Sequence, residues 1–251
     1  MDFSGQTVLI TGASRGIGAA AAKHFAADGA QVVLAARSEG KLAKLAEKIG
    51  PKALAIACNI ADFKQVQAAV DQTVAQFGRL DIVVNNAGTL LPVHRLADFE
   101  PADWDRVIDV NVKGVFYMMK AALPIMTAQG GGTILNISSG AAYGVLEGWS
   151  HYCASKAAVL QLTRSGQAEY GDQGIRCLGL SPGTVATQMQ VEIKASGVNP
   201  VSQLEKSDHI LASDVAQAIA YLCGPGGADY VGEDFHLREP VSRALVGLPP
   251  R

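Results

Sequence analysis

The chain has 251 residues, 49% of them hydrophobic and 18% charged, with a formal net charge of −2. That length suits one α/β domain with a sizeable core, and the balanced charge excludes the basic excess of a nucleic-acid-binding surface. No uncharged apolar run approaches the roughly 20 residues of a membrane helix, and Met1-Asp2-Phe3-Ser4 carries no secretory-type apolar segment, so a cytoplasmic protein is expected.

In chain order, short β-rich runs alternate with helical segments. A first strand is expected over Gln6–Ile10, followed by Thr11-Gly12-Ala13-Ser14-Arg15-Gly16-Ile17-Gly18 and an alanine-rich helix over Gly16–Asp28. Strand, glycine-rich turn and helix in that order are the context a dinucleotide fingerprint requires. The glycines let backbone approach a pyrophosphate, and the helix N-terminus supplies free N–H groups. Further strands are expected over Gln31–Ala36, Ala53–Cys58, Asp81–Asn85, Thr133–Ser138 and Ile175–Leu180. The helices between them fall near Glu39–Ile49, Asp62–Phe77, Pro101–Met126 and Tyr152–Tyr170. Continuous Val/Ile/Leu strands alternating with helices imply right-handed crossovers and a doubly wound parallel sheet, flanked by helices on both faces, in a single domain over 1–251. The segment 184–211, after Pro182-Gly183, has weak periodicity and follows the sixth strand, where an irregular stretch serves as a lid over a ligand.

The chemistry gathers after the fifth strand. Ser138-Ser139 ends it, and Tyr152 and Lys156 follow at a spacing that puts both on one face of a helix. A lysine ammonium near a phenol favours the phenolate and is expected to lower its pKa, making the tyrosine a general acid and base towards a carbonyl or alcohol. Cys58, Cys153, Cys177 and Cys223 lie far apart, and His24, His94, His151, His209 and His236 show no ligand spacing. Free thiols and no catalytic metal are expected.

With Thr11–Gly18, Asn85-Asn86-Ala87-Gly88, Asn111, Ser139, Tyr152, Lys156, Pro182-Gly183 and Thr187 in this order and spacing, nearly the whole chain resembles the short-chain dehydrogenase/reductase family. The resemblance implies a Rossmann fold and an enzyme assembled as a homodimer or homotetramer through helices near Pro101–Met126 and Tyr152–Tyr170. It makes Tyr152 the general acid/base and has Ser139 hydrogen-bond the carbonyl oxygen. Lys156 would hold the nicotinamide ribose, and Asn111 would anchor a relay water through its helix. Gly12, Ser14, Arg15, Gly16, Ile17 and Gly18 would cradle the cofactor, with Asn59, Ile60, Asn86, Ala87 and Gly88 along it and Pro182, Gly183, Val185 and Thr187 bracing its nicotinamide end. Three positions depart from the family: Asn59 for the usual Asp, Leu178 for an Asn, and Arg238-Glu239-Pro240 where Asp-Gly-Gly is common.

Cofactor choice rests on the end of the second strand. An acid there would take the ribose 2′-hydroxyl of NAD; Ala35-Ala36-Arg37 stands instead, with Arg15 in the glycine-rich turn. Two guanidiniums suit a 2′-phosphate, so NADP(H) is expected. Val145, Leu146, Glu147 and Trp149, with Met189 from the lid, are the expected pocket wall, apolar enough for a medium-sized ketone or aldehyde. The small-molecule carbonyl reductase has two rivals. Reduction of 3-oxoacyl chains on an acidic carrier protein would need a basic docking patch, yet between Lys120 and Arg164 the only Lys or Arg is Lys156. A non-catalytic nucleotide sensor would have no use for the proton donor.

Overall fold

A computed structural model describes residues 1–250. Seven strands form one parallel sheet: Thr7–Thr11 (β1), Gln31–Ala36 (β2), Ala53–Ala57 (β3), Ile82–Asn85 (β4), Gly132–Ile137 (β5), Ile175–Ser181 (β6) and Asp234–His236 (β7), in the order β3-β2-β1-β4-β5-β6-β7. Ile10 is flanked by Leu34 and Val84, and Leu180 by Ile137 and Phe235. The helices are Gly16–Ala27 (α1), Glu39–Ile49 (α2), Phe63–Phe77 (α3), Pro101–Ile108 (α4), Gly114–Ala128 (α5), Ser150–Tyr170 (α6), Gln188–Ser196 (α7), Ala212–Cys223 (α8) and Pro240–Leu245 (α9).

Strand side chains alternate, and both rows are buried. Val8, Ile10, Val32, Leu34 and Leu180 pack with Ala21 and Phe25 of α1 and Val215 and Ile219 of α8. Leu9, Val33, Val83, Ile134 and Cys177 pack on the other face with Val66 and Val70 of α3, Met118 of α5 and Val159 of α6. Two apolar layers on one sheet explain why these strands read as unbroken hydrophobic runs.

Three expectations change. The helix expected over Pro101–Met126 is two helices joined by a π-turn at Asp109–Lys113, where the backbone ladder shifts register. The segment 184–211 is not irregular: it contains α7 and two 3₁₀ turns, Pro200–Gln203 and Lys206–Asp208, and its ends pair through Val185 and Ile210. A seventh strand and α8 and α9 follow it, none of them read from the sequence.

Candidate active site

The residues singled out above converge at the carboxyl ends of β1 to β6, around the gap between β1 and β4 where the strand order reverses. Gly12 makes a close approach to the loop after β4. Its φ is +65°, and a Cβ there would lie 2.9 Å from both Ala87 Cα and Asn86 Nδ2, so conformation and space both require glycine. Asn86 Nδ2 donates to Thr11 O at 2.8 Å and to Gly12 O at 3.3 Å, and Thr11 Oγ1 accepts the backbone N–H groups of Asn86 and Ala87, both at 3.0 Å. Asn86 and Ala87 thus brace the glycine-rich turn. Gly88 faces the chemistry: a Cβ there would lie 3.5 Å from Asn111 Oδ1 and 4.0 Å from Lys156 Nζ.

From Ser14 and Arg15 the chain enters α1 through Gly16, Ile17 and buried Gly18. No side chain caps α1, and its first turn holds no acid, which leaves its N–H groups and positive dipole end open to an anion. Together with the turn that only Gly12 can make, this fits the pyrophosphate of a nicotinamide dinucleotide. At the neighbouring strand ends Ala36 is buried and Arg37, like Arg15, is exposed. Asn59 Oδ1 accepts the Ala61 N–H at 3.2 Å, and Ile60 packs where a Cβ at Gly114 would lie 2.5 Å from its Cδ1. On the far side Pro182 and Val185 are buried, Gly183 has φ +77°, and Thr187 begins α7 with its Cγ2 3.2 Å from where a Gly16 Cβ would stand. The 184–211 segment therefore reaches the glycine-rich turn itself.

At the other end Tyr152 and Lys156 are buried one turn apart on α6. Lys156 Nζ donates to Ile137 O at 2.6 Å and stands 5.6 Å from the centre of the Tyr152 ring. Burial pushes the Tyr152 phenol up to about 12, against a hydrogen bond from Ser139 that favours the phenolate. Burial also pushes the Lys156 ammonium down to about 8, opposed by the charge of Asp234. The expected lowering of the phenol is therefore not met by the protein alone, because desolvation outweighs the neighbouring groups. Tyr152 is protonated across the neutral range. Ser139 Oγ accepts the Ala141 N–H at 3.2 Å, which fixes the serine beside Tyr152 at the end of β5. Asn111 sits in the π-turn with its side chain fully engaged. Its Oδ1 accepts the Thr89 N–H at 2.8 Å, and its Nδ2 donates to Thr89 O at 2.8 Å and Ser155 Oγ at 3.0 Å. Ser155 was not anticipated, although its place three residues after Tyr152 puts it on the same buried helix face.

The residues expected to wall a pocket divide into a buried and an exposed group. Trp149 is buried edge-on to Tyr152, ring centres 5.6 Å apart, and Leu146 and Met189 pack on the same small cluster with Leu90 and Ile193. Val145, however, is 94% exposed, and Glu147 turns outward to Arg95 at 2.7 Å. Neither packs in that cluster. Among the described residues no group of His, Cys, Asp and Glu could hold a metal, and no helix is long and apolar enough to cross a membrane.

Residues 6–197 match the short chain dehydrogenase family. The chain belongs to that family. It is 42% identical over 210 residues to an uncharacterized oxidoreductase of Thermotoga maritima, covering 82% of each chain, and 34% identical over 239 residues to the cyclohexanol dehydrogenase of an Acinetobacter species, covering 93% of each. The fold matches a 3-ketoacyl-(acyl-carrier-protein) reductase from Brucella melitensis complexed with NADH, with a TM-score of 0.84, 31% identity and coverage of 93% of this chain and 97% of that one. This short-chain dehydrogenase is an oxidoreductase acting on CH–OH and C=O groups with a nicotinamide cofactor.

Proposed function

We propose that this short-chain dehydrogenase is an NADP(H)-dependent carbonyl reductase acting on a medium-sized, largely apolar ketone or aldehyde, and on the secondary alcohol in reverse. The observation that carries the reading is a protonated phenol, Tyr152, buried between Ser139 and Trp149 with Lys156 one turn behind it. The nicotinamide, when bound, donates or accepts the hydride. Tyr152 gives its proton to the carbonyl oxygen in reduction, and Ser139 hydrogen-bonds that oxygen as charge develops on it. Lys156 holds the ribose and, as an ammonium, stabilises the phenolate left behind. Asn111 ties the π-turn to α6 through Ser155, holding the tyrosine's helix against the loop after β4. Trp149, Leu146, Leu90 and Met189 give the substrate an apolar surface, and the segment 184–211 acts as a lid that keeps water out.

NADP(H) is favoured by the exposed guanidiniums of Arg15 and Arg37 and by the absence of any acid at the end of β2. Homodimer or homotetramer assembly fits Phe116, a 46% exposed aromatic on α5. Likeness to the Brucella reductase favours a second reading, 3-oxoacyl-carrier-protein reduction, which is opposed by the stretch between Lys120 and Arg164, where Lys156 is the only Lys or Arg. Initial rates with cyclic and aryl ketones and with a 3-oxoacyl thioester, each with NADPH and NADH, separate the readings. The carbonyl-reductase proposal expects ketone turnover with NADPH; turnover of the thioester alone, or equal use of NADH, would overturn it.

A further inference from the structure

A buried acid held one residue along from the backbone partner of Lys156 comes from the strand the sequence did not reveal. Asp234 opens β7, 7% exposed, and its Oδ2 accepts a 2.5 Å hydrogen bond from Ser138 Oγ while Oδ1 has no hydrogen-bond partner. Its place in the sheet is made by a glycine. Asp234 pairs with Gly179 of β6, and a Cβ at Gly179 would overlap Asp234 Oδ1. Any other residue at 179 would displace the carboxylate. The lysine and the acid are tied to consecutive residues at the end of β5, since Lys156 Nζ donates to Ile137 O, the last of the strand, and Ser138 just beyond it donates to Asp234. On α6 itself Lys156 has Tyr152 beside it and no acid in the following turn.

We propose that Asp234 is the counter-charge of Lys156, a positioning residue that keeps the lysine an ammonium and so acts on Tyr152 at one remove. The proposal rests on the reading of Tyr152 and Lys156 given above. A buried ammonium without an opposite charge loses its proton as solvent is excluded, and an ionised carboxylate nearby opposes that loss. Burial drives Asp234 upward and Lys156 downward, and each favours the other's charged form. The other groups facing Asp234 are Ser138 just after β5, Tyr143 from the loop before α6, and His236 of β7, whose ring centre lies 5.3 Å from that of Tyr143 at a tilt of 58°; Arg164 and Glu233 pair with each other at 2.9 Å. Burial first, and then Asp234, raise the Tyr143 hydroxyl to about 12, so it stays neutral. Tyr143 therefore brings no charge to Asp234, which leaves the carboxylate free to balance Lys156.

The test is the pH profile of ketone reduction. With Lys156 near 8, activity that needs the ammonium is lost as pH rises through that value. In Asp234→Asn the ammonium should be lost about one pH unit earlier, so that the ratio of kcat at pH 9 to kcat at pH 6 falls about tenfold. Ser138→Ala keeps the acid but removes its donor and should move the limb the same way by less; it carries the test if Asp234→Asn does not fold. A profile that superimposes on wild type, or a loss uniform in pH as a packing role would give, overturns the proposal. Tyr152→Phe is assayed alongside. If it still turns over, the catalytic reading fails; if it is dead while Asp234→Asn keeps the wild-type profile, only the role of Asp234 fails.

Discussion

The two ends of the site hold charge in opposite ways. At the cofactor end Arg15 and Arg37 stand in solvent on separate loops, each able to meet an anion without disturbing its neighbours. At the chemical end Tyr152, Lys156 and Asp234 are all buried; burial raises Tyr152, and Lys156 and Asp234 each favour the other's charged form. Exposed charges contribute affinity that adds roughly residue by residue and is screened by salt within about 10 Å at 0.1 M. Buried ones decide which groups carry protons, and salt reaches them poorly. On the function proposed above, one end selects the cofactor and the other sets the pH at which the reaction runs.

The sharpest attack on that contrast is Tyr152→Phe, which removes the transferable proton and little volume. Turnover should fall by at least about a hundredfold, the lower bound for a general acid, and by the same factor at low and high salt. Single-turnover rates with NADPH check it; a loss that salt relieves would erase the distinction between the two ends. Next in size is Arg37→Ala. A hydrogen bond to a charged group is worth about 1.5–3 kcal/mol when dry, so NADPH affinity should fall ten- to about a hundredfold at low salt and by less at high salt, with NADH little changed. Fluorescence titration of both cofactors decides, and unchanged NADPH affinity would reduce Arg37 to a surface charge. Ala36→Asp should go further in the same direction, repelling the phosphate while offering an acceptor to a 2′-hydroxyl. The smallest effect concerns the segment joining the ends. Residues 184–211, hydrogen-bonded from Asn199 to Glu147 O at 3.0 Å and paired through Lys194 and Glu205, should gain hydrogen-exchange protection on adding NADPH. Equal protection with and without cofactor would make it a passive strap.

Most of the seven strands were legible because each is rich in β-branched and leucine residues that fill two apolar layers at once, and the alanine-rich β3 because it falls between two helical segments. β7 was not, because it is three residues long and begins with an acid. The π-turn escaped notice because its register shift leaves Pro101–Met126 as apolar as a single helix. The motif residues at the strand ends were readable as a set, and the structure brings Gly12 to Asn86, Gly16 to Thr187 and Gly88 to Lys156. What the spacing could not give was burial. It hid the upward drift of the Tyr152 phenol, the outward turn of Val145 and Glu147, and the burial of Asp234 on a strand 78 positions beyond Lys156.

Gly179 and Asp234 also constrain how such a site can arise by single substitutions. An acid entering at 234 opposite any side chain at 179 would meet that chain's Cβ at its own oxygen, so the glycine has to come first. Until the acid follows, the gap beside β6 is a small void whose lining has lost its contacts. The order is therefore directional. A lineage passes through a slightly loosened sheet edge before it gains a buried charge, and it can lose the charge again without touching the glycine. Relatives with glycine but no acid at these positions would preserve either the step before or the step after.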